Sequence, residues 1–373
     1  MQRSGIRIRG KTGEALGVRC ESQEKFNSGV WVSHMIVIMK ANSTDTQIEA
    51  VENHLRLLGL QPHTSRGMQR TVIGAIGDER EIDLGRIEAL DGVERVVRVM
   101  KPYKFVSRES HGQDTVIDVK GIPIGGRTIQ IIGGPCSVET PEQMGAAAAG
   151  VAAAGCRLMR GGAFKPRTSP YAFQGKGVDG LKMFKEAAGR HGLPIVTELM
   201  DVRMLDVFLE QGVDVIQIGT RNMQNFDLLK EVGRSTHTPV ILKRGLSATI
   251  SEWLMAAEYI AAGGNHNIIF CERGVRTFED AYRNMLDVTA VPMLKRETHL
   301  PVLIDPSHAG GKAWMVPALS RAAIAAGADG LLVEMHPNPP AAWSDADQAL
   351  NPQELAALMG DLRGIARVLG REL

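Results

Sequence analysis

Four residues of metal-ligating type lie far apart in this chain but in similar surroundings. Cys136 sits in GGPCSV, His308 in DPSHAGG, Glu334 in VEMHP and Asp345 just beyond it in WSDADQAL. A thiolate, an imidazole and two carboxylates form a mixed donor set that Zn, Fe, Mn or Co accepts, and ligand softness alone does not choose among them. Singly, each has a plainer reading, since a buried cysteine usually packs as a small hydrophobe and a lone histidine as readily serves a local hydrogen bond. Only a fold that brings all four to one face makes them a metal centre.

Cations form a second set. Arg160, Lys165 and Arg167 fall within RGGAFKPRTSP, and Arg221, Lys243, Arg273 and Arg276 each stand at or just past an apolar run, in GTRN, LKRG and CERGVR. Arginine forks grip phosphate and carboxylate oxygens in pairs, and lysine adds point charge. Pro166 and Pro170 stiffen the loop that carries Lys165 and Arg167, so binding there costs little entropy. A solvated rim of charge is the ordinary alternative. Seven cations at strand ends exceed what one phosphate needs and suit a substrate pair carrying two phosphates and a carboxylate.

Such residues must be aimed by a scaffold, and the hydrophobic pattern supplies one. Eight short apolar runs, TIQIIGG, CRLMRGG, PIVTEL, DVIQIG, PVILKRG, NIIFCERG, PVLIDPSH and GLLVEMHP, are read as strands. Helical patterns such as PEQMGAAAAGVAAAG and ISEWLMAAEYIAAGG lie between them, and PQELAALMGDLRGIARVLG closes the series. Short apolar strands alternating with helices argue for parallel βα units, and eight of them match a (β/α)8 barrel, whose chemistry gathers at the C-terminal strand ends. Those ends carry Cys136, Arg160, Glu198, Arg221, Lys243, Glu272 with Arg273, Asp305 with His308, and Glu334. A doubly wound sheet is the competing fold, but it normally has fewer repeats and a glycine fingerprint after its first strand.

Ahead of the barrel, MIVIMK, a capped amphipathic helix, LQPHTSRG, RTVIGAIG, DLGRIEALDG and VERVVRVM predict a small ferredoxin-like βαββαβ module. The expected division is a poorly ordered extension over 1–34, the module over 35–104, a linker and lead-in hairpin over 105–126, and the barrel over 127–373. Residues 1–34 lack a clear period and could equally be a leader ahead of a start at Met35. Charge is nearly balanced, 43 Lys+Arg against 42 Asp+Glu, which disfavours a nucleic-acid partner. No apolar run reaches the ~20 residues of a membrane span. The first residues lack the apolar core of a secretory signal, and the four cysteines lack CxxC spacing, so a cytoplasmic setting is expected.

The motifs GGPCSVE, RGGAFKPRTSPYAFQG, IQIGTRNMQNF, ILKRG, CERGVRTFE, DPSHAGG and VEMHPNPPAAWSDADQAL, in this order, closely resemble 3-deoxy-D-arabino-heptulosonate 7-phosphate (DAHP) synthases of the type I beta subclass. The resemblance runs from Met35 to the C-terminus. It implies condensation of phosphoenolpyruvate with erythrose 4-phosphate, the first step of the shikimate pathway, and one divalent metal ion as cofactor. By the same resemblance Cys136, His308, Glu334 and Asp345 are its metal ligands. Arg160, Lys165, Arg221, Lys243 and Arg273 hold phosphoenolpyruvate, with Glu198 near the reacting carbons. Arg167, Thr168 and Asp305 contact erythrose 4-phosphate. Lys165 is the candidate acid for the aldehyde oxygen, and His308 or Glu198 handles the proton of the attacking water. A homotetramer is implied, as is feedback by an aromatic amino acid, tyrosine or phenylalanine.

Period-two geometry puts His63 and Ser65 on one face of their strand, where they are either ordinary edge residues or, as the resemblance implies, contacts for that effector. Inhibition would then come from the module covering the barrel mouth. Two rival functions remain. The sister enzyme 3-deoxy-D-manno-octulosonate 8-phosphate synthase has an Asn-Arg-Ser type of loop where this chain has KPRTSP. A non-catalytic amino-acid sensor would not need every catalytic-type residue. Fusion to a chorismate mutase, which would be all helical, conflicts with the strands around TVIGAIG.

Overall fold

A computed structural model describes residues 34–67, 70–77, 82–99, 102–167 and 169–373. The extension read over 1–34 lies outside them except for its last residue, and Cys20 and Thr168 lie outside as well.

The N-terminal module runs β1 (His34–Met39), α1 (Asp45–Leu57), β2 (Gln61–Arg66), β3 (Thr71–Ile76), α2 (Leu84–Glu88) and β4 (Val93–Val99). Its four strands pair antiparallel in the order β2-β3-β1-β4, the expected ferredoxin-like arrangement. Helix α1 starts where it does because Thr44 and Gln47 form a reciprocal capping box. Alternation does the rest: Met35, Val37, Met39, Ile73 and Ala75 pack with Ile48, Val51 and Leu55, while Ile36 and Ile38 bury on the helix-free face.

A hairpin of β5 (Ile117–Val119) and β6 (Ile122–Ile124) then leads into the barrel. The barrel's alternating elements are β7 (Gln130–Gly134), α3 (Pro141–Ala153), β8 (Leu158–Arg160), α4 (Gly177–Gly189), β9 (Ile195–Leu199), α5 (Leu205–Glu210), β10 (Val215–Ile218) and α6 (Phe226–Ser235). They continue as β11 (Val240–Lys243), α7 (Ile250–Ala262), β12 (Ile268–Glu272), α8 (Ala290–Glu297), β13 (Val302–Ile304), α9 (Pro306–Gly310), α10 (Val316–Ala325), β14 (Gly330–Glu334) and α11 (Pro352–Val368). Strands β7 to β14 close on themselves, every neighbouring pair parallel. Each of the eight apolar runs read from the sequence supplies one barrel strand.

Two apolar layers hold this barrel. Between strands and helices lies the larger core, with Phe184, Phe208, Trp253 and Phe270 among its members. Inside the barrel, Ile132, Leu158, Val196, Val215, Ile241, Ile269, Leu303 and Leu332 meet Ile117, Val119, Ile122 and Ile124 of the hairpin. The hairpin thus plugs the end where the strands begin, and the polar strand ends at the other end form an open mouth. No described helix is long and apolar enough to cross a membrane.

The module is seated at the plugged end. Ser65 meets the imidazole of His266, in the turn between α7 and β12, and the Phe105 ring lies 5.7 Å from the same imidazole. The connecting chain is tied down along its length. Glu258 of α7 accepts the Phe105 and Val106 N–H groups at 3.1 Å each, His299 Nε2 donates to the Phe105 carbonyl at 2.8 Å, and Tyr103 Oη donates to Glu297 at 2.6 Å. A module held there does not reach over its own barrel mouth.

Candidate active site

Strand parity explains which side chains enter the mouth. Leu158, Val196, Ile241, Cys271, Leu303 and Leu332 point inward, so Arg160, Glu198, Lys243, Arg273, Asp305 and Glu334, each two residues further on, point inward one layer higher. The same rule turns Glu272 outward, away from the mouth, where it pairs with Arg244 at 2.9 Å. Near Glu198 the barrel wall has no room to spare: a Cβ on Gly219 would lie 1.9 Å from Glu198 Oε1. Gln217 donates to the other Glu198 oxygen at 3.3 Å.

Cys136, His308, Glu334 and Asp345 converge, one ligand atom of each lying within 4.8 Å of all the others. Cys136 Sγ is 3.2 Å from Asp345 Oδ2, and His308 Nε2 is 3.4 Å from Glu334 Oε1 and 3.7 Å from Asp345 Oδ2. The tautomer of His308 follows from its other contact. Its Nδ1 donates to Asp305 Oδ2 at 2.7 Å, so the Nε2 lone pair faces the two carboxylates, as a metal-ligating imidazole requires. Burial lowers the His308 pKa, against the pull of Asp305, so the ring is neutral at pH 7. The donor set, its spacing and this orientation fit a divalent ion.

Cations lie against Cys136, Glu334 and the Asp305 carboxylate that orients His308. Lys165 Nζ donates to Cys136 Sγ at 2.8 Å and to the Cys136 carbonyl at 2.9 Å. Arg160 donates to Glu334 Oε1 at 2.5 Å, and Lys243 pairs with Asp305 at 2.5 Å. Burial pushes the Cys136 thiol up to about 11, with Glu334 adding to the rise. Burial also opposes ionisation of Asp305, but His308 and Lys243 hold its carboxyl well below the usual range. For Glu334, His308 and Arg160 outweigh burial in the same sense.

Four of the seven sequence-predicted cations, Arg160, Lys165, Lys243 and Arg273, are buried in this mouth. Arg160 Nε and Arg273 NH1 are buried and meet no hydrogen-bond acceptor, an arrangement that is costly unless an anion completes it. Arg167 is half-buried, and among the described residues no carboxylate pairs with it. Arg221 and Arg276 are exposed, Arg221 lining a cleft at the rim with Gln224, Gly245, Ser247 and Glu252. His63 is exposed on the module, far from the mouth in the chain's layout.

Sequence reasoning missed the residues that hold the ligands. Gln348 Nε2 donates to Glu334 Oε2 at 2.6 Å, and Arg283 donates to Gln348 Oε1 at 2.7 Å while lying 3.4 Å from Asp345 Oδ2. Ser307 Oγ accepts the Glu334 N–H at 3.0 Å. Gln348 stands inside WSDADQAL and Ser307 inside DPSHAGG, so the motifs carried both, but nothing in their types announced a role.

A barrel whose mouth gathers a mixed metal-ligand set and buried arginines with unsatisfied N–H groups defines an enzyme acting on phosphorylated or carboxylated small molecules. Comparison with known proteins narrows this. The profile of the DAHP synthetase I family matches residues 112–365, and that of the DAHP synthase ferredoxin-like domain matches residues 35–101; the chain belongs to the DAHP synthetase I family. It is 50% identical over 336 residues to the phospho-2-dehydro-3-deoxyheptonate aldolase of Thermotoga maritima, covering 90% of this chain and 99% of that protein. It is 30% identical to the 2-dehydro-3-deoxyphosphooctonate aldolase of Koribacter versatilis, covering 67% of this chain and 94% of that one. The crystal structure of the Thermotoga maritima DAHP synthase superposes with a TM-score of 0.72 at 49% identity, over 91% of this chain and 99% of that one. A truncated form of the DAHP synthase from Thermotoga maritima matches 72% of this chain with a TM-score of 0.68.

Proposed function

We infer that the protein is a metal-dependent DAHP synthase, a transferase that condenses phosphoenolpyruvate, erythrose 4-phosphate and water into DAHP and inorganic phosphate. The observation that carries this reading is the interleaving of the ligand cluster with buried cations in one mouth, in a chain half identical to a DAHP synthase along most of its length. The octulosonate enzymes are more distant, at 30% identity over two thirds of the chain.

In this reading Arg160, Lys165, Arg221, Lys243 and Arg273 hold the phosphate and carboxylate of phosphoenolpyruvate, whose oxygens supply the acceptors that Arg160 Nε and Arg273 NH1 lack. Arg167, Thr168 and Asp305 contact erythrose 4-phosphate. A divalent ion held by Cys136, His308, Glu334 and Asp345 would supply Lewis-acid chemistry at the aldehyde oxygen. Lys165, with its ammonium 2.8 Å from Cys136 Sγ, gives that oxygen its proton as C3 of phosphoenolpyruvate bonds to the aldehyde carbon. Of the two candidate bases, Glu198 takes a proton from the water that adds at C2, since His308 has Nδ1–H on Asp305 and Nε2 turned to the metal site, and the C2–O bond to phosphate then breaks. Asp305 also keeps His308 in its ligating tautomer.

The finer division follows: residues 35–104 regulate, 105–126 connect, and 127–373 catalyse. His63 and Ser65 bind an aromatic amino acid, tyrosine or phenylalanine, and the chain assembles as a homotetramer. Because the module sits at the plugged end of its own barrel, covering a mouth requires either that it leave this seat or that it belong to a neighbouring chain. The test of the metal-dependent reading is removal and return of the ion. Dialysis against a strong chelator should abolish phosphoenolpyruvate consumption, and Mn or another divalent ion should restore it; full turnover by the chelated protein refutes the reading.

A further inference from the structure

Two quoted motifs contain residues that the reaction does not use: Glu139 ends GGPCSVE, and His336, Trp343 and Ser344 lie in VEMHPNPPAAWSDADQAL. In the structure they meet. Glu139, Ser137, His336 and Ser344 are all buried. Glu139 Oε1 accepts from Ser137 Oγ at 2.9 Å and from the Trp343 N–H at 2.9 Å. Its other oxygen lies 3.3 Å from His336 Nε2. The Asn338 N–H donates to His336 Nδ1 at 3.0 Å, so Nδ1 is the unprotonated nitrogen and Nε2–H donates to Glu139. Ser137 gives its proton to Glu139, so in the 2.8 Å contact between the two serines Ser344 donates to Ser137. Every group in this network has a partner and a fixed role.

The network joins two segments at the residues next to two metal ligands. Ser137 follows Cys136, and Ser344 precedes Asp345. The loop between them and β14 is already closed at its base, where Leu350 N donates to Glu334 O and His336 N to Leu350 O, both at 2.9 Å. Gln348 and Arg283 hold its far side, and the Glu139 network holds the side that leads into Asp345, which adopts the left-handed conformation at φ 51° and ψ 39°. That conformation costs most residues with a Cβ, aspartate less than others, and its surroundings help to hold it.

We propose that Glu139 is a positioning residue for the metal centre: through Ser137, Ser344, Trp343 and His336 it fixes Asp345 beside Cys136 and so sets divalent-ion affinity. This rests on the reading of the cluster as a metal site. Partners one shell out from a metal ligand typically contribute tenfold to a hundredfold in affinity. Replacing Glu139 by glutamine keeps the shape but aims an amide NH2 at either His336 Nε2–H or the Ser137 and Trp343 donors, and one of those contacts must break.

The test is a double-mutant cycle read as Cd(II) affinity of the full chain, from the ultraviolet absorption of the Cd–thiolate bond under chelator competition. Glu139→Gln should weaken Cd(II) binding by about tenfold to a hundredfold. In an Asp345→Ala background the same change should cost nothing further, because the residue through which Glu139 acts is gone. Ser344→Ala provides the second route should Glu139→Gln fail to fold, with the same pattern expected. Unaltered affinity in the single variant, or an equal loss in both backgrounds, overturns the proposal and leaves the metal site standing. A wild-type chain that takes up no Cd(II) removes the metal reading itself, and this proposal with it.

Discussion

At the residue scale the site divides by how its members announce themselves. Cys136, His308, Glu334 and Asp345 were legible because ligand-type side chains beside apolar strands are chemically conspicuous, and they do converge within 4.8 Å. Arg160, Lys165, Lys243 and Arg273 were legible for the same reason and are buried in the mouth. Gln348, Ser307 and Glu139 were not, since a polar residue that holds another in place looks in sequence like any hydrogen-bonding residue. Glu272 and Arg273 share one strand end in the sequence, and only strand parity, which turns Glu272 to the outer face against Arg244, separates them. Arg167 offers the sharpest check on the substrate assignment, since it is half-buried and no described carboxylate competes for it. Arg167→Ala should raise the KM for erythrose 4-phosphate far more than that for phosphoenolpyruvate. A lost charge-assisted hydrogen bond of ~2 kcal/mol corresponds to about thirtyfold in kcat/KM. The opposite pattern in steady-state kinetics would mean that the two phosphate sites are assigned the wrong way round.

At the scale of elements, all eight barrel strands were readable from short apolar runs, and the module's six elements from alternation and caps. Helix α8 (Ala290–Glu297) was not read, because Pro292 interrupts its pattern near the N-terminus, where proline is in fact tolerated. The connecting segment was expected to be a linker, yet Glu258, His299 and Glu297 bind it to the barrel. Two histidines at this seat, His299 buried and His266 half-buried, make its stability depend on pH. Burial lowers His299 to about 4, with His111 and Arg108 adding to the fall and the Phe105 carbonyl opposing it. Burial lowers His266 to about 4 as well. Between pH 6.5 and 4 the unfolded chain binds protons that the folded chain excludes, so each histidine stabilises fully above 6.5 and less as pH falls. The loss is at most ~1.4 kcal/mol per histidine per pH unit. Glu258 and Glu272, raised by burial, act in the opposite sense, and the carboxylates with lowered pKa act mainly below this window. Urea midpoints should therefore fall from pH 7.5 to 5, and His299→Gln should flatten that slope. A slope unchanged in the variant would show that His299 is not the group responsible.

At the scale of the whole molecule, the barrel holds every residue assigned to chemistry, and the module holds none. The barrel's own closure and hairpin plug do not involve the module, and Tyr103 and Phe105 bind the barrel from just past the module's last strand. Deleting residues 1–101 should leave an active barrel that tyrosine and phenylalanine no longer inhibit. Normal inhibition of the truncated enzyme would move the regulatory site onto the barrel. What sequence could not convey is where the module sits, because contacts such as Ser65 with His266 join residues two hundred positions apart and leave no local pattern. The most direct measurement of what this molecule does compares two aldoses. Purified protein with a divalent ion and phosphoenolpyruvate should consume the latter and release one phosphate per turnover with erythrose 4-phosphate, and do so poorly or not at all with arabinose 5-phosphate. Preference for arabinose 5-phosphate, or no consumption with either sugar, would contradict the assignment as a DAHP synthase.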